Sequence, residues 1–342
     1  MKKVSKIFFT VFTVAVIIAI AYGYYTYTRA YVSNVHQKAY LYIKTGSKYA
    51  EVVNQLKELN ILDDIKTFEW VAKKKEYVDK VKPGKYLLKQ GMCNNDLVNM
   101  LRAGKQEPVN LVFNNIRTNE QLAGKLSRQI EADSLSLLEL FKNNDFLQKI
   151  GVNTQEVRML FVPNTYQIWW NTSPEQLMDR IQKEYVKFWN ADREQKANDA
   201  NLSRKEVSII ASIVEEETNK NDEKPTVASV YINRLRKGML LQADPTVKYA
   251  VGDFSLKRIL NIHTSYYSLY NTYMFKGLPP GPICIPSITT IDAVLNYKKT
   301  DYLYFCAKED FSGYHNFARN ETEHSVNAHK YWKALNERKI YK

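Results

Sequence analysis

"LSRKEVSIIASIVEEET", residues 202–218, reads as one amphipathic helix whose inner face ends on a carboxylate. Ser203 is placed to cap it, and Glu206 three positions later completes a capping box. Val207, Ile210, Ile213 and Val214 then recur at helical spacing as an apolar stripe. Continuing that stripe three or four residues from 213 and 214 arrives at Glu217, whereas Glu215 and Glu216 fall to either side. Consecutive glutamates at a helix end are ordinarily a solvated surface. A glutamate on the buried face is different, because burial disfavours its charged form and the partial negative charge of a helix C-terminus does the same. Glu217 is therefore the expected protonated acid, and Glu215 stays open as the alternative.

The sequence places that helix in an α+β protein with an N-terminal transmembrane helix. With 342 residues the chain has room for two or three domains, and a hydrophobic share of 45% with 25% charged residues excludes a disordered chain. Lys2, Lys3 and Lys6 precede a run without charge from Ile7 to Thr28. At 1.5 Å per residue that run is about 33 Å long, enough to cross a bilayer. Residues 19–23, "AIAYG", mimic a leader-cleavage site, but a cleaved leader has a shorter apolar core. The expected order is a cytoplasmic tail at 1–6, a single span at 7–28 and a linker at 29–37, with Tyr24, Tyr25 and Tyr27 at the outer interface. Everything from about residue 30 is then outside the inner membrane, which removes nucleic acid as a partner for the net charge of +13. Membrane phosphates or an anionic polymer remain. Cys93, Cys284 and Cys306 form no CxxC pair, and His315, His324 and His329 match no common ligand spacing, so neither a metal nor a cofactor is expected.

Between the span and the glutamate helix the pattern changes twice. Residues 38–105 read as a small α/β module: a strand at 39–46, helices at 48–62 and 66–81, a turn and strand within 82–91, and a helix at 94–105 with asparagine and aspartate available as caps. Residues 106–154 read as an α/β connector, with a strand in 108–118 and helices at 119–131 and 134–143. From 155 to 342, short apolar elements alternate with loops rich in polar, aromatic, Pro and Gly residues, the composition on which sites are built. "LLQADPTVKYA", 240–250, offers Gln242, Asp244 and Thr246 in a turn set by Pro245. "NTYMFKGLPPGPI", 271–283, offers Asn271, Thr272 and Tyr273 ahead of a stiff proline loop. These groups suit hydrogen bonding to hydroxyls and acetamides. Asn233 and Arg234 are expected to support the acid from behind, and His315 and Asn316 to reach the same cleft.

"ASIVEEET" at 211–218, "VASVYINRLRKGMLLQADPTVKYA" at 227–250, the 271–283 loop, "YLYF" at 302–305, "HNF" at 315–317 and "LFVPNTYQI" at 160–168 together resemble the endolytic murein transglycosylases, the MltG or YceG-like proteins. The resemblance covers roughly residues 155–330 in order. It implies that Glu217, in the pair Glu217–Thr218, is the catalytic acid of a lytic transglycosylase that leaves 1,6-anhydro-N-acetylmuramic acid ends on peptidoglycan. It further implies a LysM-like fold for 38–105 and partners among the peptidoglycan synthases at the inner membrane. Three positions depart from the family pattern: Asn164 stands where Asp is usual, "ICIPS" at 283–287 brings Ile285 and Ser287, and Glu216 replaces a frequent Lys. Two other readings stay open. A lysozyme-like hydrolase would need a second carboxylate, such as Asp244 or Glu215, and a non-catalytic scaffold would only bind glycan.

Overall fold

The computed structural model describes residues 2–114, 116–256 and 258–338, with the backbone alone for residues 2–5. Residue 1 of the expected cytoplasmic tail and residues 339–342 of the expected catalytic segment lie outside the described residues. The architecture is mixed α+β and divides into two compact units.

The first unit takes in residues 2–110 with Gln129–Glu131 and Tyr166–Thr172. It begins with α1 (Lys2–Tyr31), whose apolar window is long enough to cross a membrane and has none of its surface buried. The helix runs on to Tyr31, past the expected end of the span. Its last turn is tied to the module behind it: Asn94 Nδ2 donates to the Arg29 carbonyl at 2.9 Å.

Strands β1 (Ala39–Ile43) and β2 (Gly84–Leu88) pair antiparallel, in register from Ala39 opposite Leu88 to Ile43 opposite Gly84. Alternation along β1 buries Leu41 and Ile43 and leaves Tyr40 and Tyr42 exposed. Helices α2 (Tyr49–Leu59), α3 (Ile65–Lys74) and α4 (Asn94–Ala103) cover the buried face with Val52, Leu56, Phe68, Leu97 and Leu101. α3 is shorter than its sequence pattern because Glu76 takes a positive φ of 53° and the chain turns to bury Tyr77. The expected asparagine cap of α4 is absent. Cys93 occupies that position, and Asn94 is buried instead, accepting from Asn34 Nδ2 at 2.7 Å. Two short strands, β3 (Val109–Leu111) and β4 (Tyr166–Ile168), form a second sheet. Thr45 donates from N and Oγ1 to the Glu131 carboxylate, which fastens Gln129–Glu131 to this unit.

The second unit holds Leu111–Arg128, Ala132–Thr165 and the described residues from Ser173 onward. Helices α5 (Asn119–Ser127), α6 (Ser134–Lys142) and α7 (Asn144–Lys149) lead to α8 (Pro174–Phe188) and α9 (Ala191–Asp199). The glutamate helix is α10 (Arg204–Glu217). Its capping box forms as expected: Glu206 N donates to Ser203 Oγ at 3.3 Å, and Ser203 N donates to Glu206 Oε2 at 2.7 Å. The helix is not one-sided, however, because every residue from Val207 to Val214 is buried. Ser208 and Ser212 sit inside that surround because their hydroxyls donate back to the carbonyls of Arg204 and Ile209.

Around α10 lie α11 (Lys224–Arg236), α12 (Asp244–Val251), α13 (Asn261–Thr264) and α14 (Ile288–Leu295). The proline loop between α13 and α14 is pinned to α10 by Ile283 N, which donates to Ser212 Oγ at 3.0 Å. Gly281 is required there, since a Cβ would collide with the Gln155 carbonyl oxygen. An antiparallel pair, β5 (Tyr304–Ala307) with β6 (His315–Ala318), and the C-terminal α15 (Glu321–Glu337) complete the unit.

Candidate active site

α10 ends at Glu217 because Thr218 is extended, with φ −147° and ψ 139°. Thr218 then organises the turn into α11: its hydroxyl donates to Glu223 Oε2 and accepts from Lys220 N at 3.0 Å. That turn brings Tyr231 of α11 back against the acid, and the Tyr231 hydroxyl donates to Glu217 Oε1 at 2.5 Å. Arg234, three residues further on, shares the Tyr231 face of the helix.

Glu217 opens into a cavity of about 300 Å³ lined also by Tyr231, Arg234, Leu241, Gln242, Asp244, Tyr273, Tyr304, Phe305 and His324. Arg234 is buried and builds the wall with its guanidinium, which donates to the carbonyls of Leu303 (2.7 Å) and Leu241 (2.9 Å) and to Gln242 Oε1 (3.1 Å). Gln242 holds a left-handed conformation, φ 51°, and its amide donates to the Thr272 carbonyl. Asp244 is the first residue of α12 and accepts from the Tyr273 hydroxyl at 2.6 Å. The expected turn at Pro245 is therefore the first turn of a helix, where proline lacks no bond it could have made.

Burial raises the Glu217 pKa from its ordinary 4.5 to about 7, the Tyr231 hydrogen bond and Lys248 pull it down, and the charges of Asp244 and Glu216 push it up. A carboxyl titrating near neutrality can both give and take a proton during one reaction. The two neighbouring glutamates are committed elsewhere. Glu216 forms a fork with Arg117, whose Nε and Nη2 reach its two oxygens at 3.0 and 2.8 Å. Glu215 accepts from Lys224 Nζ at 3.1 Å, from Ser287 Oγ at 3.0 Å and from the Thr290 hydroxyl. Burial opposes its ionisation, yet the Thr290 bond and the Lys224 charge outweigh it, so the Glu215 pKa lies below the ordinary value. Glu215 is thus held as an anion, poorly suited to donate a proton.

Of the residues expected around the acid, Gln242, Asp244 and Tyr273 line the cavity. Thr246, Asn271 and Thr272 are buried beneath it. Thr246 and Thr272 share a hydroxyl contact at 2.8 Å, and Asn271 Oδ1 accepts from Tyr273 N at 3.0 Å, so these three hold the lining in place. His315 and Asn316 do not line the cavity. His315 is captured by Glu223, which accepts from its N and contacts its Nδ1, both at 2.8 Å, and Asn316 Nδ2 donates to Glu309. In the β5–β6 register His315 pairs with Ala307 and shares a face with Phe305, whose ring it meets edge-on at 5.2 Å, so His315 stands beside a cavity-lining residue without lining the cavity itself.

Asn233 donates to the carbonyls of Thr300 and Tyr302, which steadies the approach to β5 and leaves Tyr231 as the direct support of the acid. Asn164 turns back to accept from Thr165 N. Ser287 both caps α14 and reaches Glu215, and Ile285 is buried. Tyr231, Tyr304 and His324 were not anticipated. Their signal was weak: a Tyr and an Arg three residues apart on one helix, and a histidine read only for metal spacing. Among the described residues no three His, Cys, Asp or Glu side chains are grouped to hold a metal ion.

Residues 41–330 match the model of the YceG-like family. The endolytic murein transglycosylase of Streptococcus pneumoniae serotype 2 is 30% identical over 319 residues, covering 83% of this chain and 57% of the relative. That of Bacillus subtilis is 27% identical over 317 residues, covering 86% of this chain and 85% of the relative. A YceG-like protein from Listeria monocytogenes, solved at 2.6 Å, matches with a TM-score of 0.55 and 26% identity over 85% of this chain and 99% of its own. The chain thus spans little more than half the length of the pneumococcal relative. The matched residues take in every side chain that lines the Glu217 cavity, and the chain belongs to the YceG-like family.

Proposed function

We propose that this chain is a membrane-anchored endolytic lytic transglycosylase that cuts within peptidoglycan glycan strands. The observation that carries the reading is Glu217: a cavity-lining carboxyl with a pKa near 7, fixed by Tyr231, in a chain whose relatives are named endolytic murein transglycosylases. Tyr231 occupies Oε1, so the transferable proton belongs on Oε2. Glu217 protonates the departing glycosidic oxygen as the C1–O bond breaks. The resulting carboxylate takes the proton of the C6 hydroxyl of N-acetylmuramic acid as that oxygen bonds to C1, closing the 1,6-anhydro ring. One group serves as acid and then as base, and the tethered hydroxyl has the advantage of proximity.

Gln242, Asp244 and Tyr273 hydrogen bond the sugars in this reading, while Thr246, Asn271 and Thr272 hold them from below. His315 contributes indirectly, through the Glu223 turn, and Asn316 through its bond to Glu309. Residues 38–105 serve as a LysM-like module, 106–154 as a connector and 155–342 as the catalytic domain. The lysines before the apolar run put the N-terminus in the cytoplasm and the catalytic domain outside the inner membrane, beside peptidoglycan synthases as partners.

Asp244 favours a second reading. It shares the Glu217 cavity, and a hydrolase would use such a carboxylate to activate water. Digestion of glycan strands by the full chain in water enriched in heavy oxygen separates the two. New ends lighter by one water than a reducing end, and free of label, are expected; heavy label at those ends means hydrolysis and overturns the transglycosylase mechanism.

A further inference from the structure

We infer that residues 258–276 form a membrane-docking loop that seats the second unit on anionic lipid headgroups. Leu260, Ile262, Tyr266, Tyr267 and Leu269 are 50%, 76%, 47%, 76% and 59% exposed, all within one short segment of that unit. A soluble surface rarely gathers so many large apolar side chains without a partner.

The loop is presented rather than slack. Asn271, fully buried, donates from Nδ2 to the carbonyls of Thr264 (2.9 Å) and Tyr266 (2.7 Å), which closes the base of the loop. Tyr270 packs on Tyr249 with ring centroids 4.6 Å apart, and Tyr267 meets Phe275 edge-on at 5.4 Å. Apolar side chains held outward on a fixed base cost little ordering when they enter an apolar phase.

Charge chooses the occupant. No acidic residue occurs between Asp253 and Asp292, whereas Lys257, Arg258 and Lys276 fall in that stretch, and Arg258 and Lys276 are exposed. Aliphatic and tyrosyl side chains flanked by cations are the composition of an interfacial anchor. A sugar platform would instead want flat rings with hydrogen-bonding groups, and Leu260, Ile262 and Leu269 supply neither. The chain also carries an apolar helix of membrane-spanning length.

The test uses the full chain reconstituted in vesicles of phosphatidylcholine, with or without about one-third phosphatidylglycerol. A spin label is placed at Ile262→Cys, or at Lys237→Cys as an exposed reference, with Cys93 and Cys306 replaced by serine and the buried Cys284 kept. Collision with oxygen, which concentrates in lipid, and with a water-soluble nickel chelate reports immersion without reference to turnover. The label at 262 is expected to gain oxygen and lose nickel contact. Immersion should be about ten-fold more populated on the anionic vesicles, a preference removed by Arg258→Glu with Lys276→Glu. Equal water contact at 262 and 237 on both vesicles overturns the proposal. Loss of nickel contact without gain of oxygen also overturns it, since protein or glycan then covers the loop.

Discussion

Glu217→Gln tests the raised pKa directly, through stability. A carboxyl whose pKa rises on folding contributes fully while both states are protonated, below the unfolded value of 4.5. That contribution is lost as pH rises from there to the folded value of about 7, where the buried group must ionise. At 1.36 kcal/mol per pKa unit, a rise from 4.5 to about 7 corresponds to about 3 kcal/mol, an upper bound because the cavity admits water. The amide keeps the shape and the Tyr231 hydrogen bond but never ionises. The variant and the native chain should therefore melt together near pH 4.5 and diverge with rising pH, the variant gaining up to about 10 °C by pH 8.5 in the transition of the second unit. Calorimetry of the full chain in detergent across that pH range reads the difference. A gap that stays constant with pH, or a native chain that becomes the more stable one in alkali, would refute the assignment of a half-buried, protonated Glu217.

Three further substitutions separate the roles of its neighbours. Glu217→Gln should lower strand cleavage by about 100- to 10,000-fold, whereas Glu215→Gln should preserve cleavage and cost about 2 kcal/mol of stability by leaving the buried Lys224 ammonium without its partner. Turnover assays with a chemical melt check both, and the reverse pattern transfers the acid role to Glu215. Tyr231→Phe removes a bond that lowers the Glu217 pKa, so the alkaline limb of kcat/KM should move up by about one pH unit; an unmoved limb would deny Tyr231 its hold on the proton. Gly281→Ala should lose about 1–3 kcal/mol through its clash with the Gln155 carbonyl, and an unchanged denaturation midpoint would count against that close approach.

Capping and helical period are short-range, so the sequence by itself determined that 202–218 holds a helix, realised as Arg204–Glu217, that Ser203 and Glu206 cap it, and that Glu217 is set apart from Glu215 and Glu216. It also determined the apolar run at the N-terminus and the alternating strand read at 39–46, of which Ala39–Ile43 pairs as β1. What the three glutamates face was decided only by tertiary structure. Glu216 meets Arg117 and Glu215 meets Ser287 and Thr290, partners that lie 72 to 99 residues away along the chain. Local pattern also overran where long-range packing intervened: the helix expected to reach 81 stops at Lys74 so that Tyr77 can enter the core. His315, read as reaching the cleft, has for its partner a carboxylate 92 positions before it, which no local pattern announces. A side chain's partners depend on which distant elements pack against it, and the hydrogen bond from Tyr231 to the half-buried Glu217 is a product of that packing.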